Sequence, residues 1–215
     1  MDSIKEVKQL IPVSRETEER LETYIRLLRR WQPVQNLVAP ATLDVLWRRH
    51  VADSVQTHLA VPDARRWLDL GSGAGFPGLV TAILLADQPG SVVHLVESNQ
   101  RKAAFLRTVI RETGVPAQVH PGRIEDVTRN WRAPLDGISA RALASLDVLC
   151  GHAHEFVMMG ATAVFHKGRD YKRELEEAAH NWTLDLVKQP SQVDDEGRLL
   201  VINRIVARTF DESTA

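Results

Sequence analysis

From Trp67 onward the chain alternates short apolar, β-rich runs with stretches of helical length, and this alternation constrains the fold more than any other feature. The strand-like runs are Arg66–Leu70, Val92–Glu97, Ala117–His120, Gly137–Arg141 and Ala161–Lys167. Helices are predicted between them over Gly78–Ala86, Gln100–Thr113 and Leu143–Met159, with another over Tyr171–Ala179; Gly114 is suited to closing the second of these. Strand–helix–strand units of this length predict an α/β Rossmann-like domain, a mostly parallel sheet with helices on both faces. A last run, Leu199–Val206, follows a loop containing Asp195-Glu196-Gly197 and predicts a closing strand paired antiparallel.

Residues 1–62 read differently. Behind Ser14, a residue suited to capping a helix, Leu21, Tyr24, Ile25, Leu28 and Trp31 recur at three- and four-residue spacing and mark one buried face. Pro33 stops that helix, a linker runs from Gln35 to Pro40, and a second helix is predicted from Thr42 to the stop at Pro62. The expected organisation is an N-terminal helical segment, 1–62, packed on a ligand-binding domain, 63–215.

The 215 residues carry a formal net charge of −1, which argues against a protein that simply coats naked nucleic acid. Positive charge is instead clustered, at Arg26/Arg29/Arg30, Arg48/Arg49, Arg65/Arg66, Arg101/Lys102/Arg107/Arg111 and Lys167/Arg169/Lys172/Arg173. The single cysteine excludes an internal disulfide. The longest apolar stretch, Gly78–Ala86, is too short to span a bilayer, and the residues from Met1 to Glu6 have no signal-like apolar core. A cytoplasmic location without membrane attachment is expected.

The chemistry concentrates in Trp67-Leu68-Asp69-Leu70-Gly71-Ser72-Gly73-Ala74-Gly75-Phe76-Pro77-Gly78. A strand enters a turn whose glycines have no Cβ, so positive φ is allowed and a ligand can lie against the backbone. Glu97 ends the next strand, where a carboxylate can accept hydrogen bonds from both hydroxyls of an adenosine ribose. The dinucleotide fingerprint needs glycine at its sixth position, occupied here by Phe76, and no Gly-Lys-Ser/Thr follows to make a P-loop. The spacing Gly71, Gly73, Gly75 behind Asp69 resembles class I methyltransferases, with S-adenosyl-L-methionine as cofactor.

The resemblance narrows along the chain. Asn36-Leu37, Arg49-His50-x-x-Asp53-Ser54, the glycine segment, Arg101-Lys102-x-x-Phe105-Leu106, Gly122-Arg123-Ile124-Glu125, Asp136 to Ala144 and His166-Lys167-Gly168 occur in the order seen in one family. Over roughly residues 20–206 the chain resembles the 16S ribosomal RNA guanine-N7 methyltransferase G family, also called glucose-inhibited division protein B. It departs from the commoner pattern at Ala104, Ala140 and Ala144. The resemblance implies methylation of guanine 527 of 16S rRNA within the small ribosomal subunit or its assembly intermediate. It also implies cofactor contacts from Gly71, Phe76, Ile124, Glu125 and Arg141, beside those read above for Gly73, Gly75 and Glu97.

What the sequence lacks fits that chemistry. Guanine N7 has an in-plane lone pair and no proton to lose, so its attack needs alignment rather than a general base. Cys150 sits in a helical, apolar setting and reads as core rather than as a nucleophile. No Asn/Asp-Pro-Pro-Tyr/Phe stretch of the amino-methylating kind is present, and no Cys/His set has metal-ligand spacing; His152 and His154 cannot share a helix face. Arg123 and Arg141 fall at strand ends and are the residues expected to position the acceptor. Arg49, His50, Arg101, Lys102, Arg123 and Lys167 are the expected RNA contacts, His50 being equally readable as a structural histidine. A small-molecule or protein methyltransferase, or less readily an NAD-dependent oxidoreductase, remains the alternative at this point.

Overall fold

The computed structural model describes residues 2–208; Met1 and residues 209–215, the end of the expected second segment, lie outside the described residues. Seven strands form one sheet in the order β3-β2-β1-β4-β5-β7-β6. They are β1 (Arg66–Leu70), β2 (Val92–Glu97), β3 (Ala117–Pro121), β4 (Gly137–Arg141), β5 (Thr162–Lys167), β6 (Trp182–Pro190) and β7 (Arg198–Ala207). The first five are parallel, while β7 runs antiparallel to β5 and pairs with β6. The expected strands are thus present, and β6 is one that the sequence reading missed. Its alternating half-buried and exposed residues and its terminal Pro190 suit an edge strand, without the continuous apolar run of a central one.

The helices are α1 (Lys5–Lys8), α2 (Arg15–Trp31), α3 (Asp53–Ala60), α4 (Gly78–Leu84), α5 (Gln100–Thr113), α6 (Ile124–Arg129), α7 (Leu146–Met158) and α8 (Tyr171–Asn181). Ser14 caps α2 by accepting from the N–H of Thr17, and Gly114 closes α5 at φ +65°. α1 and α6 were not foreseen, being too short to show a period; Glu125 and Asp126 favour the α6 N-terminus electrostatically.

The expected continuous helix from Thr42 to Pro62 is broken into three pieces. A 3-10 turn (Pro40–Val45) leads into a π-helical turn (Trp47–Ala52), and only α3 is regular. The wider π turn changes the angular spacing of the side chains, as such turns often do beside functional sites. His50 and Asp53, at its end, are aimed together at the tip of β4.

Successive strand residues point to opposite faces and build two cores. Trp67 and Val164 join Tyr24, Leu28, Val55, Ile83 and Phe105 on one side; Leu68, Ile138 and Phe165 join Leu149 and Phe156 on the other. The N-terminal helices therefore share a core with α4 and α5. Within the described residues no helix is long and apolar enough to cross a membrane.

Candidate active site

The glycine turn leaves β1 at the carboxyl edge of the sheet, where open α/β sheets take their ligands. Gly71, Gly73 and Gly75 all have positive φ, +64°, +57° and +99°. The turn is pinned on three sides. The N–H of Ser72 donates to the Val96 carbonyl, the Tyr24 hydroxyl of α2 donates to the Ala74 carbonyl at 2.6 Å, and the Gly73 N–H donates to Glu97 Oε2 at 2.8 Å. A Cβ at Gly75 would lie 2.4 Å from Leu79 and 2.9 Å from the Tyr24 oxygen, whereas one at Gly73 would meet only the Gly71 carbonyl, at 3.8 Å. Gly73 thus faces open space, and Gly75 serves close packing behind the turn.

A cavity of about 620 Å³ opens beside it, lined by Gly71, Gly73, Phe76, Glu97, Ile124, Glu125 and Arg141 among others. Of the expected cofactor residues only Gly75 does not line it. Glu97 is 7% exposed, and its Oε1 also accepts from the Asn99 N–H at 2.7 Å. Each oxygen retains a second lone pair for a ribose hydroxyl. Behind the turn, Asp69 is fully buried: Oδ1 accepts from Ser139 at 2.7 Å, Oδ2 has no partner, and burial pushes its pKa up to about 6 despite the Ser139 bond. A Cβ at Gly78 would come within 2.4 Å of Leu95 and 2.6 Å of that Oδ2, so the helix start packed between them is glycine.

The cavity ends at the tip of β4. There the Arg141 guanidinium lies 5.2 Å from the centre of the Phe76 ring, donates to Asp53 Oδ2 at 3.2 Å and to the Arg49 carbonyl at 3.1 Å, and reaches His50 Nδ1 at 2.6 Å. An arginine only donates, so His50 Nδ1 accepts and its Nε2–H donates to Thr42, 2.8 Å away. Burial and the Arg141 charge hold the His50 pKa down at about 3, so the ring is neutral. Burial works to raise the Asp53 pKa, but His166, 3.3 Å away, and Arg141 outweigh it and hold the carboxylate ionised. Ala142, the next residue, takes φ +50°, a conformation that strains a residue with a Cβ.

Other expected site residues are distributed unevenly. Arg123 is exposed at the start of α6, and Lys102 lines the same cavity. Arg101 is exposed on the first turn of α5 and does not line it. Arg49 pairs with Asp194. Two expectations change. The Lys167 side chain is only 6% exposed and is committed to Glu174 and the Ala144 carbonyl, so it is an internal strut rather than a rim cation. His50 is buried with both ring nitrogens engaged, which leaves none for RNA and makes it a structural histidine. Burial pushes the Cys150 thiol up to about 12, in keeping with a core residue. Among the described residues no group of three or more His, Cys, Asp or Glu side chains could hold a metal ion. Tyr24, Asp53, His166 and Asp194 were missed. Asp53 and His166 stand inside quoted motif pieces, but nothing in their spacing shows that they converge on Arg141.

This sheet order, with the glycine turn after β1 and an acidic residue ending β2, is the class I methyltransferase arrangement. Solved structures agree on the fold: an O-methyltransferase of Klebsiella pneumoniae, described as putative, aligns with TM-score 0.59 and 15% identity over 94% of this chain and 97% of its own. The O-methyltransferase TomG of Streptomyces achromogenes, solved with S-adenosylmethionine, gives 0.59 and 14% over 94% and 95%. The profile of GidB, rRNA small subunit methyltransferase G, matches residues 17–199. Proteins named ribosomal RNA small subunit methyltransferase G are similar at 48% identity in Bradyrhizobium sp. strain BTAi1 (91% of this chain, 88% of the relative) and 49% in Rhizobium johnstonii (90% and 95%). The chain belongs to the rRNA small subunit methyltransferase G family and is a methyltransferase that uses S-adenosylmethionine.

Proposed function

We propose that this protein methylates N7 of a guanine in 16S rRNA, guanine 527 by family resemblance, in the small ribosomal subunit or its assembly intermediate, and so works in the cytoplasm. The observation that carries the reading is the wall at the tip of β4. Every side chain there that could act as a base is already engaged: both His50 nitrogens are bonded, and Asp53 is held by Arg141, His166 and Gln56. An acceptor that must lose a proton finds no free base in that wall; guanine N7 needs none. S-adenosylmethionine, when bound, supplies an electrophilic methyl on sulfur. Guanine N7 would take that methyl with its own lone pair, so no residue of the wall has a proton to remove.

The chain's own part is orientation. Gly71, Gly73, Phe76, Glu97, Ile124, Glu125 and Arg141 hold the cofactor, Gly75 shapes the turn from behind, and Arg123 and Arg141 position the acceptor by charge and hydrogen bonding. Arg49, Arg101, Lys102 and Arg123 supply cations for RNA phosphates around the opening, which suits a neutral protein that meets RNA locally. The test is single-turnover transfer of labelled methyl to small subunits lacking the mark, followed by borohydride and aniline, which cleave RNA at N7-methylguanosine. One new cleavage site is expected, and Arg123→Ala should slow transfer about tenfold with cofactor affinity little changed. Label without cleavage would put the methyl on another atom; label on a small metabolite or a protein and none on rRNA would make those the substrates.

A further inference from the structure

A second cavity of about 390 Å³ lies above the ends of β4 and β5 and the start of β7, on the other side of His50, Arg141 and Ala142. These three residues line both cavities, so the cavities adjoin there. The volume falls in the range of sites for small organic ligands. A base embedded in folded RNA can reach a buried methyl donor only by leaving its stack for a pocket, and the usual reading of such a base is by hydrogen bonds to its Watson–Crick edge.

Guanine differs from adenine on that edge by N1–H and the N2 amino group, two adjacent donors that a carboxylate oxygen pair can accept together. Two carboxylates line the second cavity. Asp53 has both oxygens taken, Oδ2 by Arg141 and His166 and Oδ1 by Gln56. Asp194 is bound differently. Among the described residues its only side-chain partner is Arg49, which is 54% exposed, and Oδ1 accepts only from the N–H of Glu196 in its own loop. That loop is preorganised: the Ser191 hydroxyl accepts from the N–H groups of Val193 and Asp194 and from Gln56, and the Gln56 side-chain carbonyl accepts from the Gln192 N–H. Arg49 is thus a solvent-exposed cation on a carboxylate held by its loop, and an RNA phosphate is a fit substitute partner for it.

We propose that the second cavity is the pocket for the flipped guanine, with Asp194 as its specificity-determining residue. This rests on the reading of the protein as a guanine-N7 methyltransferase. Arg49 exchanges Asp194 for a phosphate, and the freed carboxylate accepts N1–H and the N2 amino group. N7 then points across the junction at His50, Arg141 and Ala142 toward the methyl donor in the first cavity. O6 flanks N7 and takes a hydrogen from Arg141, whose five N–H donors exceed the acceptors it now serves.

The experiment compares small-subunit rRNA carrying guanine or inosine at the methylated position, inosine being guanine without the N2 amino group. Wild type is expected to show about tenfold lower kcat/KM on inosine. Asp194→Asn should lose about 10- to 100-fold on guanine and show little preference between the two bases, with S-adenosylmethionine affinity by calorimetry within a factor of about two as the check on folding. Equal transfer to guanine and inosine by wild type, or a preference retained by Asp194→Asn, overturns the pocket while leaving N7 methylation intact. Failure of wild type to label either base at N7 overturns the underlying reading, and the pocket with it.

Discussion

The two cavities at the carboxyl edge of the sheet are built from different materials. The one beside β1 is shaped mainly by backbone: three glycines at positive φ, held by main-chain and short side-chain bonds to Val96, Tyr24 and Glu97. The one above β5 is bounded by charged and polar side chains, Arg49, His50, Asp53, Arg141 and Asp194, drawn from three separate segments. Backbone shape is fixed once the chain folds and suits a ligand that never varies. A wall of ion pairs can exchange partners and suits a large acceptor that arrives with its own charges. Perturbing each side tests this contrast.

The largest effect is expected at Gly73. Valine there must adopt φ near +57°, which β-branched residues resist, and its side chain would fill space facing the cofactor cavity. Gly73→Val should abolish S-adenosylmethionine binding by calorimetry with the fold largely retained. Affinity within a factor of about two of wild type would show that the turn is not the cofactor site.

Arg141→Ala should be felt in both cavities. It removes the cation from a partly buried ion pair, leaves Asp53 to His166 and Gln56, and strips Phe76 of its cationic neighbour. A loss of about 3 kcal/mol in urea unfolding is expected, together with lower cofactor affinity and lower transfer. Loss of transfer alone would confine Arg141 to the acceptor side. Glu97→Ala belongs to the backbone-built side. It should weaken binding of S-adenosylmethionine and S-adenosylhomocysteine alike by about 1.5–3 kcal/mol, because both carry the same ribose. A loss restricted to the sulfonium form would mean that Glu97 acts on charge at sulfur.

The same contrast explains what was legible in the sequence. Backbone-built sites depend on contiguous glycines, and Gly71-Ser72-Gly73-Ala74-Gly75 after an apolar run announces its own turn. Alternating apolar segments likewise announce β1, β2, β4 and β5. The side-chain wall depends on residues 92 positions apart, such as Arg49 and Arg141, whose meeting is decided by the π-helical turn at Trp47–Ala52, and no local period encodes such a turn. Lys167 misled for the same reason: a basic residue at a strand end looks like a rim cation until Glu174 from the next helix is seen to cover it.

The smallest expected effect is also the one in which the two sides oppose each other. Asp69, beneath the glycine turn, has its pKa raised from 3.8 to about 6 by burial, and His50, in the wall, has its own lowered from 6.5 to about 3 by burial and Arg141. Between about pH 4 and 6 the native state holds a proton on Asp69 that the unfolded chain has released, so this group lowers stability as pH rises. Over the same window the unfolded chain protonates His50 and the native state does not, so that group raises stability as pH rises. Each contributes at most about 1.4 kcal/mol per pH unit, with opposite sign. His58, His94 and His120, whose pKa values burial also lowers, add to the rise in every variant and cancel in differences. Relative to wild type, Asp69→Asn should steepen the rise of unfolding free energy with pH between 4 and 6, and His50→Gln should flatten or reverse it, as read from urea midpoints across that range. Changes of the same sign in both variants would mean that the native state does not keep Asp69 protonated and His50 unprotonated over that range, and that the glycine turn and the ion-pair wall differ less in their electrostatics than their composition implies.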